Sequence, residues 1–221
     1  MKRKVNKIKM DLEAARTHDP AATGAWEIVL TYNGFHALVL YRIAHYLHVH
    51  GFRLIARMIS SIGRFFTGIE IHPGAKIGHG VFIDHGTGVV IGETTEIGNN
   101  VTIYQGATLG GTGKDKGKRH PTVESGVMIS AGAKVLGPIT IGRNAKIGAG
   151  SVVLHDVPAN ATVVGVPGVV VRLNGERTDD LDQALPDPVE DRLTATETRI
   201  ARLEKALGNK VSHGCEDTDE K

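Results

Sequence analysis

Residues 123–153 read VESGVMISAGAKVLGPITIGRNAKIGAGSVV, and an aliphatic residue returns at every sixth position of this stretch. The same spacing holds from Ile71 to Ile83 and, after a slip of two residues, from Ile91 to Leu109. Neither the 3.6-residue period of a helix nor the two-residue alternation of a strand produces this pattern. The grid positions are Ile71, Ile77, Ile83, Ile91, Ile97, Ile103, Leu109, Val123, Ile129, Val135, Ile141, Ile147 and Val153.

The six-residue period predicts a mainly β fold, a parallel β-helix in which three short strands and three tight turns make each coil. One aliphatic side chain per strand would point into a triangular prism and stack on its equivalents in neighbouring coils, because one coil buries little on its own. Three hexads make a coil of about 18 residues, so the grid predicts a little over four coils. The spacing does not determine the hand of the coil.

Two interruptions of the repeat carry histidine. The slip between Ile83 and Ile91 contains residues 84–88, DHGTG, and residues 110–121, GGTGKDKGKRHP, show no repeat and have the composition of an exposed loop. Insertions in solenoids tend to gather on the binding face. We therefore expect functional residues at both interruptions.

The flanks of the repeat predict four further segments. Residues 1–66 form an N-terminal α-helical region of two or three helices, with Asp19 and Pro20 opening one helix and Gly51 near a turn. Residues 67–173 are the β-helix catalytic domain. A linker (174–188), a short C-terminal helix with a possible coiled-coil stub (189–207) and a disordered tail (208–221) follow.

The composition excludes several classes of protein. The formal net charge is +2, which favours neither nucleic acid nor membrane as a partner. The basic start is followed by Asp11 and Glu13 and not by an apolar segment, and residues 28–40 are too short to span a bilayer. Cys215 is the only cysteine, so no internal disulfide can form. We expect a cytoplasmic protein.

Four stretches at and around the interruptions carry a resemblance. They are residues 70–78 (EIHPGAKIG), 83–94 (IDHGTGVVIGET), 108–114 (TLGGTGK) and 118–121 (KRHP). Together they resemble the serine acetyltransferases, a family of the hexapeptide-repeat acyltransferase superfamily, from about residue 19 to about residue 172, roughly 70% of the chain. The resemblance implies a left-handed β-helix.

The resemblance also implies an activity, in which acetyl passes from acetyl-CoA to the hydroxyl of L-serine. The products are O-acetyl-L-serine and CoA, in the first step of cysteine biosynthesis from serine, and no metal is expected. A serine hydroxyl is a poor nucleophile at neutral pH, so the reaction needs a positioned base, for which histidine is suited. The resemblance makes His85 this base and Glu70 the carboxylate that orients it, at a position where the family often has aspartate.

Further site residues follow from the same resemblance. Arg119 and His120 would hold the serine carboxylate and the developing oxyanion, for which charge-assisted hydrogen bonds are suited. Asp84 and Asp19 match positions that bind the serine amino group, although Asp19 is equally suited to capping a helix. The predicted coenzyme contacts are Gly110, Gly111, Ala131 and Lys146.

The resemblance implies partners as well. Family sites lie between adjacent solenoids, so we expect a homotrimer, which could pair into a dimer of trimers, and inhibition by L-cysteine in the serine pocket. Longer family members end in an isoleucine that docks into O-acetylserine sulfhydrylase. This sequence ends DTDEK, so that complex is not expected.

The residues leave alternatives open. A zinc-dependent hydratase could use His79, His85 and His120, since zinc needs three well-placed ligands. The solenoid could instead be a non-catalytic assembly module, or an O-acetyltransferase with a sugar or another hydroxyl acceptor. The remaining helical-region histidines have no ligand spacing, and we interpret them as packing or surface residues.

Overall fold

The computed structural model describes residues 6–113, 116–177, 196–200 and 202–203. The chain divides into two units, residues 1–181 and 182–221. In the second unit, residues 196–200 and 202–203 are helical, within the span predicted for the C-terminal helix. Residues 174–177 of the predicted linker form a turn and the short strand Glu176–Arg177, which pairs with the strand before it. The rest of the linker (178–188), the rest of that helix, the tail and Cys215 lie outside the described residues.

Four helices precede the solenoid in the described part of the chain. They are α1 (Lys7–His18), α2 (Ala25–Thr31), α3 (Asn33–Val49) and α4 (Arg53–Thr67). The sequence predicted two or three, and only Tyr32 separates α2 from α3. None of the described helices is long and apolar enough to cross a membrane.

Asp19 does not open a helix as predicted, but follows the last residue of α1 as its C-cap. Proline disfavours the helical conformation in the residue before it, so Asp19 ends a helix more readily than it continues one. The next helix begins after Thr23, whose backbone N–H and hydroxyl both donate to Glu27 Oε2, at 2.7 and 2.6 Å. Gly51 does lie in the turn between α3 and α4, with φ of 92°.

Within the residues described, sixteen short strands follow the helices. They are β1 (Glu70–Ile71), β2 (Lys76–Ile77), β3 (Phe82–Asp84), β4 (Val90–Ile91), β5 (Glu96–Ile97), β6 (Thr102–Tyr104), β7 (Thr108–Gly110), β8 (Thr122–Val123), β9 (Met128–Ile129), β10 (Lys134–Leu136), β11 (Thr140–Ile141), β12 (Lys146–Ile147), β13 (Val152–Val153), β14 (Ala161–Val164), β15 (Val169–Leu173) and β16 (Glu176–Arg177).

Successive strands fall on three different sheets, which are the faces of a prism. Face A has the order β1-β4-β7-β10-β13, face B has β2-β5-β8-β11, and face C has β3-β6-β9-β12-β14 followed by β15 and β16. Neighbours pair in parallel up to β14, whereas β15 and β16 pair antiparallel at the end of face C. The predicted parallel β-helix is confirmed.

The interior of the prism is built from the predicted grid. All thirteen grid residues are at most 4% exposed. Parallel pairing places Ile71 beside Ile91, and Ile91 beside Leu109, so the side chains stack along face A. Each such buried side chain contributes on the order of 1.5–3 kcal/mol of hydrophobic free energy, so the stacked column holds the coils together.

Helices α1 and α3 pack on the first coil through polar contacts. The Tyr41 hydroxyl donates to Ala75 O at 2.6 Å and accepts from Ile77 N at 3.2 Å. Asp11 accepts from Arg42 Nε at 2.8 Å and from Val81 N at 3.1 Å. These contacts fix the end of α1, and with it Asp19, beside the solenoid.

Candidate active site

His85 lies at the prism edge between faces C and A, directly after β3. Its φ of 56° is in the left-handed region, so the two-residue slip of the repeat turns the imidazole outward, and its side chain is 75% exposed. A cleft of about 320 Å³ opens beside it. The cleft is lined by Asp19, Thr31, Tyr32, Asn33, Gly34, Ile83, Asp84 and His85.

The cleft is closed on one side by the start of α3. A Cβ added to Gly34 would lie 2.0 Å from Ile83 O, so only glycine allows this helix to approach β3 so closely. That approach carries Tyr32 and Asp19 to the edge where His85 lies. The sequence therefore brings together three of the predicted site residues, Asp19, Asp84 and His85, in one cleft.

The cleft presents two carboxylates next to one imidazole. Asp19 Oδ2 accepts from the Tyr32 hydroxyl at 2.6 Å, and Oδ1 accepts from Ala21 N at 2.8 Å. These hydrogen bonds lower the pKa of Asp19. The hydrogen bond to Asp19 in turn raises the pKa of Tyr32 to about 12. Asp84 Oδ1 lies 3.9 Å from His85 Nε2. The arrangement favours a bound cationic group such as an ammonium.

Glu70 lies on β1 of face A. Its backbone is close to the edge that carries His85, but its side chain contacts a different residue. Its N–H donates to Val89 O at 2.9 Å, just after the turn that contains His85. Its carboxylate instead pairs with Arg64 of α4, with Oε2 to Nη1 at 2.9 Å. Among the described residues, no hydrogen bond or ion pair joins Glu70 to His85, and their catalytic pairing stays a prediction.

Arg119 and His120 lie at a second edge, between faces A and B. Arg119 Nη2 bonds Glu93 Oε2 at 2.9 Å. The imidazole of His120 lies over Gly92, where an added Cβ would be 1.9 Å from Cδ2. The residue is only 7% exposed, whereas residues 111–113 and 116–118 of the loop before it are exposed, as predicted. Burial, and then the charge of Arg119, lowers the pKa of His120.

Three of the four predicted coenzyme residues lie at the same two edges, and the fourth lies on face C. Ala131 lies on the His85 edge, where Gly150 N donates to Ala131 O at 2.9 Å in a ladder of turns. Gly110 ends β7 and Gly111 follows it, and an added Cβ on Gly111 would lie 3.1 Å from His120 Nε2. Lys146 is exposed on β12 of face C.

Face A separates the two groups of site residues. His85 lies before β4 in the chain. Gly92 lies directly after β4, and the ring of His120 packs over Gly92. One hexad of chain therefore lies between His85 and Gly92. The intervening chain runs through a turn at residues 87–88 and then β4, so the two histidines lie at opposite edges of face A. Neither Arg119 nor His120 lines the cleft beside His85.

The three histidines of the zinc alternative lie on three different edges of the prism. His79 follows β2 and donates its N–H to an Asn99 side chain, His85 follows β3, and His120 precedes β8. No group of three or more histidine, cysteine, aspartate or glutamate side chains that could hold a metal ion occurs in the described part of the chain.

Three contact residues in and around these edges were not predicted. Tyr32 bonds Asp19, Arg64 bonds Glu70, and Thr94 bonds His120. Thr94 stands within the resembling stretch 83–94, whereas Tyr32 and Arg64 lie in the helical region, where the sequence offered only a helical period.

Comparisons with known proteins show which family the chain is similar to. The family model described as serine acetyltransferase, N-terminal, matches residues 1–39, and the bacterial transferase hexapeptide model matches residues 120–155. A serine acetyltransferase of Bacillus licheniformis is 62% identical over 92% of this chain and 95% of its own.

Two solved structures are similar in fold. One is a Neisseria gonorrhoeae serine acetyltransferase in complex with serine, with a TM-score of 0.73 and 46% identity over 75% of this chain and 67% of that one. The other is a serine acetyltransferase in complex with cysteine, with a TM-score of 0.75 and 49% identity over 76% of this chain and 65% of that one.

Proposed function

The chain belongs to the serine acetyltransferase family, and we propose on that premise that His85 is the general base of its reaction. The enzyme transfers acetyl from acetyl-CoA to the hydroxyl of L-serine, which yields O-acetyl-L-serine and CoA. The single observation that carries the assignment of His85 is its exposed imidazole at the mouth of a cleft that also holds Asp19 and Asp84.

In the proposed reaction, His85 removes the proton of the serine hydroxyl while its oxygen attacks the thioester carbonyl. The tetrahedral intermediate collapses, the carbon–sulfur bond breaks, and the imidazolium returns the proton to the departing CoA sulfur. Asp19 and Asp84 bind the serine ammonium, for which two neighbouring carboxylates supply the opposite charge. Glu70 stabilises the imidazolium through its negative charge.

The serine carboxylate and the oxyanion need hydrogen-bond donors, which Arg119 and His120 supply from the edge between faces A and B. The proposed contacts to the coenzyme are Gly110, Gly111, Ala131 and Lys146. Because face A separates the two edges in one chain, we propose that a neighbouring copy contributes Arg119 and His120 to the cleft of His85. An interface that joins two different edges is heterologous, and copies joined in this way form a ring when the rotation between them closes.

We propose that this ring is a homotrimer, as the resemblance to the family implies. Exposed apolar side chains on α4 support burial against another copy, since large apolar patches mark interaction surfaces. They include Ile62, Phe65 and Phe66, which are 50%, 82% and 73% exposed.

We further propose that L-cysteine inhibits by occupying the serine site. Cysteine carries the same ammonium and carboxylate as serine, with sulfur in place of the hydroxyl oxygen, and a relative binds it. Rising concentrations of cysteine should raise the KM for serine and leave kcat unchanged, and an unchanged KM would count against a shared site.

We also propose that the enzyme acts in the cytoplasm. Its sequence has a single cysteine, which fits a compartment where proteins lack structural disulfides.

A CoA-release assay with a panel of hydroxyl acceptors tests the function. We expect release from acetyl-CoA with L-serine and little with sugars. His85→Ala should lower kcat by at least ~100-fold, as expected for the loss of a general base. His50→Ala, an exposed histidine on the far end of α3, is the matched control and should leave kcat unchanged.

Two outcomes of this assay would contradict the proposal. Release with a sugar and none with L-serine would assign a different acceptor. Near-normal kcat in His85→Ala, with the fold intact by circular dichroism, would remove His85 from the role of base.

A further inference from the structure

The hydroxyl of Thr94 is surrounded by groups of the Arg119–His120 segment. Its Oγ1 accepts from the backbone N–H of Arg119 at 3.1 Å and from that of His120 at 3.1 Å. It also lies 2.9 Å from Nδ1 of the His120 ring. A hydroxyl has two acceptor lone pairs and one proton. Since both lone pairs are taken, the proton is donated to Nδ1.

A second hydrogen-bond donor contacts Nδ1 of His120. The backbone N–H of Thr94 lies 3.2 Å from His120 Nδ1. A backbone N–H can only donate, so Nδ1 must accept and carries no proton. In a neutral imidazole the proton then resides on Nε2.

The surroundings of His120 favour the neutral ring. Burial, and then Arg119, lowers its pKa, Lys118 acts in the same direction, and Glu93 opposes them. The Nε2 edge of the ring lies above glycine backbone, where a Cβ added to Gly92 would be 2.1 Å from Nε2. No described residue forms a hydrogen bond with Nε2.

We propose that Thr94 is a positioning residue that locks His120 as the Nε2–H tautomer, so that His120 donates a hydrogen bond to an anionic substrate oxygen and cannot act as a base. This role rests on the proposed function, which supplies that oxygen as the serine carboxylate or the oxyanion of the attacked thioester. The two histidines then have opposite tasks, since His85 accepts a proton and His120 donates a hydrogen bond.

Adjacent threonines provide the variants and their control. Thr94→Val removes the hydroxyl and keeps the shape, and Thr94→Ser restores the hydroxyl. Thr95→Val is the matched control, because Thr95 is fully buried and its Oγ1 has no hydrogen-bond partner among the described residues. We expect Thr94→Val to lower kcat/KM for serine by about tenfold, the order for one lost hydrogen bond. Thr94→Ser and Thr95→Val should stay near wild type.

The tautomer itself is measured by nitrogen-15 NMR of histidine-labelled protein, with His120 assigned through His120→Asn. We expect an unprotonated, pyridine-type Nδ1 and a protonated, pyrrole-type Nε2 in the wild type without substrate. A protonated Nδ1 would overturn the proposal, and so would equal activity of Thr94→Val and Thr95→Val. The spectrum is recorded on the wild-type protein and requires neither activity nor a stable Thr94→Val variant. The other tautomer would contradict this proposal alone, whereas a lack of serine acetylation would contradict the proposed function.

Discussion

Glu70 shows how one side chain can change the contacts of a site. The family resemblance suggests aspartate at this position, whereas the longer side chain of Glu70 reaches Arg64, with Oε2 to Nη1 at 2.9 Å. The ion pair is partly exposed, so it contributes little to stability by itself. It does hold the carboxylate of Glu70 against α4, with no contact to His85 among the described residues.

Replacement of the carboxylate of Glu70 by an amide tests its catalytic role. Glu70→Gln removes the charge that stabilises the His85 imidazolium, so kcat should fall by on the order of tenfold or more. Glu96→Gln is the matched control, because Glu96 also stands on a strand and pairs with a cation, Lys76, at 3.0 Å. Steady-state kinetics in which both variants keep the wild-type kcat would refute the role of Glu70.

At the scale of elements, the contacts that hold α1 to the solenoid are long-range and polar. Asp11 is 2% exposed and pairs with Arg42, 31 residues away. Burial raises the pKa of Asp11, while the guanidinium of Arg42 lowers it. The pair holds the helix whose end carries Asp19 into the cleft.

Loss of this buried carboxylate should destabilise the fold strongly. Asp11→Ala leaves the Arg42 charge buried and unpaired, since its side chain is only 11% exposed, and we expect a loss of about 3–5 kcal/mol in the free energy of unfolding. Glu13→Ala, an exposed carboxylate on the same helix, should change it little. Denaturant titration of both variants checks this, and equal midpoints would contradict the importance of the pair.

The solenoid could be predicted and the helical packing could not, for a physical reason. Each grid residue such as Ile71 or Leu109 repeats one local environment, so its period is visible in the sequence. The partners of Asp11 and Glu70 depend on how α1 and α4 pack, which no local spacing encodes. Thr94 was missed beside His120 because the two residues are 26 positions apart and meet only when neighbouring coils stack.

The histidine-bearing interruptions were predicted to be functional, and the structure shows what each interruption does to the chain. The slip at residues 84–88 turns His85 outward at one edge, and the loop before His120 returns that residue to the other edge. The catalytic roles of His85 and His120 came from the family resemblance. Their separation by face A could be seen only once the coils were arranged in three dimensions.

At the scale of the whole molecule, the active site proposed above is shared by two copies of the chain. In that proposal His85 comes from one copy and Arg119 and His120 come from its neighbour, because face A separates the two edges in one chain. A monomer would then hold two half-sites and no complete site. Size-exclusion chromatography with light scattering should find at least a trimer in the active fraction.

Complementation between two inactive variants tests this claim most directly. His85→Ala and Arg119→Ala are each expected to be nearly inactive as pure proteins. Co-expressed in equal amounts, they form mixed rings in which about one quarter of the sites receive both an intact His85 and an intact Arg119. Recovery of up to about a quarter of wild-type activity is the predicted result. Activity of the mixture no higher than that of the separate variants would contradict the shared site.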